Sequence, residues 1–347
     1  MEFFNNENTL INDINIKIPW IEKYRPQNID DILLESFIKE KINHFMISKS
    51  IPNLIITGEP GTGKTSTILF LAKELYKDKY NENILELNAS DDRGLSIINN
   101  TIYPFCKKKI NNNNNYPSHK LIILDEADSI TSKAQNLLSN LISEFINTTR
   151  IIFICNDYTK IIESIQSKCM IIKYPRLSNS NLFTKIKYIC NNENISYNND
   201  NDINTLLFVS DYDIRQIINN LECIYYTFKI LNEENICKLI DKPKPYYIYK
   251  ILEYCYNDDY INCINIIKEL YNKGYTPNDI ILTFMKYILE YNINYNIKNL
   301  DENIKLKIYE ILSESYIHIN KGIDTLLQLC GCISYIYMYI NKNKKVI

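Results

Sequence analysis

The segment LIITGEPGTGKTST carries Gly58, Gly63, Lys64 and Thr65 at the spacing G-x-x-x-x-G-K-[ST]. Glycines there let the backbone curl until successive N–H groups converge on phosphate oxygens, and a helix starting at that point adds the positive end of its dipole. Lys64 then has the reach for the β- and γ-phosphates, and the Thr65 hydroxyl is a ligand for Mg²⁺. The loop as a whole, Gly58, Glu59, Pro60, Gly61, Thr62, Gly63, Lys64, Thr65 and Ser66, is the expected wall of a nucleoside triphosphate site, with ATP and Mg²⁺ as its occupants. The second cluster is LIILDEAD, an apolar run ending at Asp125, a carboxylate placed for Mg²⁺ and commonly acting through water. Glu126 follows, placed to polarise an attacking water; two adjacent acids favour hydrolysis over phosphotransfer, because hydrolysis needs a base. Read alone, the pair is two solvated carboxylates; downstream of a phosphate loop, the metal-and-base reading outweighs that one. Asn156, ending IIFICN, is on its own either a turn residue or a group that orients water or reads the γ-phosphate. Arg215 in SDYDIRQIINNLE is by default solvated or salt-bridged; reaching the γ-phosphate, it would link nucleotide state to an interdomain angle.

The elements that must position these residues follow from hydrophobic period. Short apolar, β-branched runs at 54–57, 84–88, 121–124, 151–155 and 170–174 alternate with helical patterns, which predicts an α/β fold with a five-stranded parallel sheet and crossover helices. Ligands collect at the carboxyl ends of such strands, so Asn88, Asp125 and Asn156 belong on the ligand side. Beyond Pro175 the strands are expected to stop, with helices at 181–191, 204–209 and 213–226 forming a small lid domain. The prolines of DKPKP mark a boundary, followed by amphipathic helices at 247–256, 260–272, 277–291, 304–315 and 323–339. The expected division is an extension at 1–17, a P-loop domain at 18–175, a helical lid at 176–242 and an all-α domain at 243–347. The asparagine run at 111–115 reads as a loop tip.

Composition narrows the class. A 46% hydrophobic fraction over 347 residues supplies cores for two or three domains, and a net charge of −2 gives no global sign of a polyanion partner. A local basic face can still bind phosphates. The N-terminus lacks the pattern of a signal peptide, and no apolar run is long enough to span a membrane, so the chain reads as soluble and intracellular. The ten cysteines are scattered without a CxxC pair, which argues for free thiols in a reducing interior and against a zinc ribbon. The three histidines, His44, His119 and His318, are too far apart in sequence to suggest a metal site.

Taken together, PWIEKYRPQNIDDIL (19–33), GEPGTGKTST, ELNASDDRGL (86–95), LIILDEADSIT, IIFICN, IQSKC (165–169) and DIRQIINNLE resemble the small subunits of replication factor C, AAA+ clamp loaders that place a ring-shaped sliding clamp on primer–template DNA. The resemblance is dense over about residues 18–225; the later helices match in number and position the collar domain that holds the family's pentamer together. It implies that Tyr24, Arg25 and Pro26 close the adenine pocket, that Asn156 and Arg215 are the first and second sensors, and that a basic residue of the Ser-Arg-Cys motif reaches ATP on a neighbouring subunit. Here that residue is Lys168, which keeps the charge but loses the planar fork of arginine. Two further departures are Tyr212, where the family often has glycine, and Ser139–Asn140, where it commonly carries two arginines. The partners implied are other clamp-loader subunits in a hetero-pentamer, a PCNA-like sliding clamp and primer–template DNA, with no membrane. Arg93 and the Lys107, Lys108 and Lys109 run are candidate DNA contacts, though such a run is more often a solvated face. Ile98, Ile102, Tyr103 and Phe105 read first as core and second as a clamp contact. The implied location is the nucleus for a cellular eukaryote, or the host cell or virus factory for a large DNA virus, whose composition the Asn, Ile, Lys and Tyr bias also fits.

Three other readings stay open at this level. One is an ATP-binding scaffold subunit with little hydrolysis, favoured by Lys168, Ser139 and Asn140. Another is an origin-binding or Holliday-junction AAA+ ATPase, which a C-terminal winged helix would favour. The third is a nucleotide kinase, against which stands the lack of an acceptor-binding lid pattern.

Overall fold

The computed structural model describes residues 18–26, 31–90, 95–108, 116–197, 199–240, 242–290 and 302–344. The extension at 1–17, Arg93, Lys109 and the asparagine run at 111–115 lie outside the described residues. The chain divides into two compact units, Met1–Ile189 with Tyr212–Asn219, and Cys190–Asp211 with Asn220–Ile347.

In the first unit, β1 (Leu54–Gly58), β2 (Ile84–Asn88), β3 (Lys120–Asp125), β4 (Thr149–Cys155) and β5 (Met170–Tyr174) form one parallel sheet in the order β2-β3-β4-β1-β5. Its helices are α1 (Trp20–Lys23), α2 (Ser36–Ser48), α3 (Lys64–Tyr76), α4 (Tyr80–Asn83), α5 (Leu95–Ile97), α6 (Tyr103–Lys107), α7 (Ser132–Glu144), α8 (Glu163–Gln166) and the start of α9 (Asn179–Asn192). A π-helical turn, Ile98–Ile102, joins α5 to α6. The three central strands, β1, β3 and β4, read as nearly continuous apolar runs because both faces are covered, whereas the edge strands β2 and β5 carry exposed residues such as Glu86 and Lys173. Alternate residues go to opposite sides: Leu54, Ile56, Leu121, Ile123, Ile152 and Ile154 pack with α2 and α3, whereas Ile55, Ile122, Leu124, Ile151 and Phe153 pack with α6 and α7. Ile98, Ile102 and Phe105 are buried in that second layer, as core residues.

This order puts the carboxyl ends of β1, β3 and β4 side by side, and each expected strand is present, most a residue or two longer than its apolar run. Among the buried titratable groups packed around the sheet is His119, just before β3. His119 is 3% exposed; its Nε2 accepts the Ile51 N–H at 3.4 Å, and its carbonyl accepts the Tyr76 hydroxyl at 2.8 Å. Burial, aided by the charge of Arg150, lowers its pKa to about 4. The unfolded chain, with a histidine near its ordinary value, binds the extra proton first, so stability is complete above that value and is lost as pH falls through the interval down to the folded pKa. By pH 5 the loss from this one group is about 2 kcal/mol. We expect His119→Gln, which stays neutral, to flatten the fall in Tm between pH 7 and pH 5; an unchanged acid slope would show that the histidine is not its source.

The second unit holds the remainder of α9, then α10 (Asp200–Val209), the later part of α11 (Ile214–Thr227), α12 (Glu233–Leu239), α13 (Pro245–Tyr256), α14 (Tyr260–Asn272), α15 (Pro277–Glu290), α16 (Glu302–Asn320) and α17 (Leu326–Lys344). α13 packs on α14, α15 and α17, and α16 packs on α15 and α17. Ile248, Ile251, Leu252 and Cys255 of α13 are fully buried at helical spacing, facing a core shared with Cys263, Ile267 and Leu270 of α14.

The expectation that strands stop after Pro175 is corrected here. β6 (Ser196–Tyr197) and β7 (Ile230–Leu231) pair in parallel, and two-residue strands are too short to show a period. Helix ends also shift where side chains cap them. α10 starts at Asp200 because Asn199 and Asp202 form a reciprocal capping box, and the Thr325 hydroxyl accepts the Gln328 N–H at 3.3 Å at the start of α17.

Candidate nucleotide-binding site

Glycine is required where β1 meets the loop. A Cβ on Gly58 would lie 2.5 Å from the Tyr174 carbonyl oxygen, because β1 and β5 run in register there. At the other end Gly63 has φ +85°, a left-handed conformation that lets the chain turn directly into α3 at Lys64. Between them the Lys64 ammonium donates to the Gly58 carbonyl at 2.6 Å, the Glu59 carbonyl at 2.7 Å and Asn156 Oδ1 at 3.0 Å. Burial is the main cause that lowers its pKa; Arg215 pushes the same way, while Cys155, Asp125 and Asp128 oppose.

Thr65 Oγ1 donates to Asp125 Oδ2 at 2.9 Å, which joins α3 to the end of β3. A hydroxyl and a carboxylate held side by side are oxygen donors of the kind Mg²⁺ takes, so this pair would suit that cation, directly or through water. Glu126 is left-handed at φ +53° and ψ +38°; its N–H is satisfied by Asp125 Oδ1 at 2.9 Å and its carbonyl by Ser129 Oγ at 2.8 Å. That conformation places Glu126 on the same cavity as Pro60, Lys64, Thr65, Asp125, Asn156 and Arg215.

A second, larger cavity of about 450 Å³ adjoins the loop at Gly61, Thr62, Gly63 and Ser66. Ile21, Ile32, Leu33, Leu177, Ile214 and Ile218 make its apolar walls, and Tyr24, Arg25 and Pro26 line it as well. Its size and lining suit a nucleoside. Trp20 is buried with its ring 6.2 Å from that of Tyr24, and Tyr24 lies 6.5 Å from Tyr188 of α9, both edge-on. Arg215 lines both cavities.

Several placements depart from what residue type suggests. The Glu59 side chain turns out to Arg176, Oε2 to Nε 2.5 Å, an ion pair more than half exposed on both sides and worth little. Lys168 is exposed, yet its ammonium is folded back onto α7, donating to Ser139 O and Ser139 Oγ, both at 2.9 Å, and to Ser143 Oγ at 2.8 Å. Lys107 and Lys108 are exposed at the end of α6, and the Lys107 ammonium sits 4.2 Å over the Tyr103 ring. Sequence reasoning missed Asp213. Its carboxylate accepts the Arg215 N–H at 2.9 Å, capping α11, and abuts Gly61 of the phosphate loop, which is left-handed at φ +79°. An aspartate two residues before a predicted helical arginine is a capping signal that could have revealed it.

Residues 54–176 match the ATPase family associated with various cellular activities (AAA), and residues 243–335 match the replication factor C C-terminal domain. Replication factor C subunit 4 of Saccharomyces cerevisiae is 34% identical over 331 residues, covering 95% of this chain and 98% of that protein. The chain belongs to the replication factor C small-subunit family. Within that family, subunit 4 of Oryza sativa subsp. japonica is 37% identical over 317 residues, covering 91% of this chain and 92% of the rice protein. A protein of Acanthamoeba polyphaga mimivirus described as a replication factor C small subunit is 37% identical over 327 residues, covering 94% of this chain and 99% of its own length. Among solved structures, the Thermotoga maritima RuvB Holliday junction branch migration motor superposes with a TM-score of 0.50 at 15% identity, over 67% of this chain and 78% of that one. That likeness concerns the fold alone. The fold is therefore the α/β AAA fold followed by the helical region of replication factor C, and an AAA domain implies nucleotide binding.

Proposed function

We propose that this chain is an ATP-dependent clamp-loader small subunit, working in a hetero-pentamer to open a PCNA-like sliding clamp and place it on primer–template DNA. The observation that carries the reading is the joined set Lys64–Asn156 and Thr65–Asp125, with Glu126 on the same cavity, in a chain related to replication factor C subunits over nearly its full length. In this reading residues 18–175 bind nucleotide, 176–242 form the lid and 243–347 the collar. Lys64 exchanges its carbonyl acceptors for β- and γ-phosphate oxygens, and Asn156 moves with it as first sensor. Thr65 and Asp125 hold Mg²⁺, which when bound neutralises phosphate charge. Glu126 accepts a proton from water, and Arg215 senses the γ-phosphate. Arg93, Lys107 and Lys108 are proposed to lie along DNA phosphates. The location proposed is the nucleus, or the virus factory of an infected cell. Reconstitution with co-purifying subunits tests the whole: ATP should be required for loading a clamp on primed DNA, and loading that persists without this chain would refute the role.

A second reading, a scaffold subunit that adds little hydrolysis, is favoured by Lys168. An ammonium already held by three acceptors of α7 must give all of them up to reach a neighbouring subunit's ATP, and Ser139 stands on the helix that holds it. An arginine finger in that place can be worth ~10³–10⁵ in rate. We expect Lys168→Ala to change the ATPase of the assembled complex, with clamp and primed DNA, by less than about twofold, far below that range. Lys168→Arg should behave the same. A loss of tenfold or more in Lys168→Ala would restore the trans role.

A further inference from the structure

Two thiols meet in the core of the second unit. Cys255, near the end of α13, and Cys263, in the first turn of α14, are both fully buried, and their sulfurs lie 3.6 Å apart. The Cys263 thiol also has the Asp259 carbonyl at 3.3 Å and the Ile251 carbonyl at 3.6 Å as acceptors. Packing alone would account for two buried thiols acting as small apolar groups. It does not require the two sulfurs to face each other across a turn that a third helix holds in place.

That turn, 257–259, has Asp258 left-handed at φ +63°. From α17 the Tyr337 hydroxyl donates to the Asp258 carboxylate, and Ser334 Oγ lies 2.8 Å from the Tyr260 hydroxyl at the start of α14. The Asp259 carboxylate accepts the Asn262 N–H at 3.3 Å and so caps α14. These contacts fix where α14 begins relative to the end of α13, and with it the approach of the sulfurs. Bonding them needs a further closure of about 1.5 Å.

The two thiols are not equivalent. The hydrogen bond with Cys263, then burial and the charge of Cys263, raise the pKa of Cys255. The same hydrogen bond lowers that of Cys263, against burial and the charge of Asp259. The N-terminal turn of α14 also favours an anion at Cys263. Cys263 is therefore the thiol that gives up its proton first.

We propose that Cys255 and Cys263 are a redox-active dithiol, which a small, uncharged oxidant of the peroxide class converts to a disulfide that pins α13 to α14. Cys263, as thiolate, attacks one peroxide oxygen: an S–O bond forms, the O–O bond breaks, and the departing hydroxide takes up the released thiol proton as water. The Cys255 sulfur then attacks the sulfenic acid: the S–S bond forms, the S–O bond breaks, and hydroxide leaves with the Cys255 proton as a second water. The thiols lose two electrons, and one hydrogen peroxide becomes two waters.

In the test, the full-length chain is treated with hydrogen peroxide, its remaining thiols are blocked with N-ethylmaleimide in denaturant, and its peptides are weighed. The expected product joins Cys255 to Cys263, two hydrogens lighter than the reduced pair and restored by dithiothreitol. The linked chain should melt a few degrees higher, because the bridge restrains its unfolded state. Cys255→Ala should stop at a sulfenic acid on Cys263, which dimedone labels, whereas Cys263→Ala should leave Cys255 a free thiol. Should either variant fail to fold, the product from the unaltered chain decides alone. Thiols still blocked by maleimide after peroxide, or joined instead to other cysteines, overturn the proposal. So does a linked chain that melts no higher.

Discussion

Glu126→Gln is expected to leave nucleotide affinity unchanged and to lower steady-state turnover by about 10²–10⁴, the usual contribution of a general base. The substitution keeps the shape and the left-handed backbone at this position, whose N–H and carbonyl bonds to Asp125 and Ser129 do not involve the side chain. Lys64, Thr65 and Asp125, proposed to hold phosphates and Mg²⁺, are untouched, so binding should survive. What is lost is the carboxylate that accepts the proton of the attacking water. Phosphate release in the complex with clamp and primed DNA is the measurement, alongside an equilibrium nucleotide titration. Turnover at the normal rate would move the base elsewhere.

Lys64→Ala should have the opposite signature, with affinity lost. The ammonium has three protons and spends them on Gly58, Glu59 and Asn156, so in this state it closes the phosphate loop on itself. The same donors are the ones a β,γ-phosphate pair would take. Charge-assisted hydrogen bonds contribute about 1.5–3 kcal/mol each, so removing the ammonium should weaken binding by roughly a hundredfold or more. Because burial already disfavours the charged lysine, an anion beside it restores what burial removed. Calorimetric titration with ATP and Mg²⁺ reads the loss, and thermal unfolding checks that the loop, whose Gly58 and Gly63 conformations do not need the lysine, still folds. Affinity within about threefold of the unaltered chain would be too small a change for even one such bond and would sink the assignment.

Much of the site was legible because it is local. Strand, glycine turn and helix follow one another from Leu54 to Tyr76, and the acid pair is the end of one strand. Parallel strands covered on both faces announce themselves as apolar runs, which is why the three central ones stood out; the edge strands β2 and β5 were found from short runs that still hold apolar, β-branched residues. Less was legible beyond Pro175, where the two-residue strands carry no period and helix ends depend on single capping side chains such as Asn199 and Thr325. Tyr212 is a telling case: the residue type argues against a left-handed conformation, yet Tyr212 is left-handed at φ +56°.

By itself, then, the amino-acid order determined the phosphate loop from Gly58 to Ser66, the acid pair Asp125–Glu126, the α/β class and the family. Each of these is a short-range pattern of backbone freedom, charge and period. The tertiary structure alone decided which distant groups meet: Asn156 with Lys64 across 92 residues, Asp125 with Thr65 across 60, and Asp213 with Gly61. It also turned Lys168 onto Ser139 and Ser143, where its residue type suggests an outward-reaching cation. Strand order sets those first meetings, and strand order comes from how layers bury their faces, which no local spacing encodes.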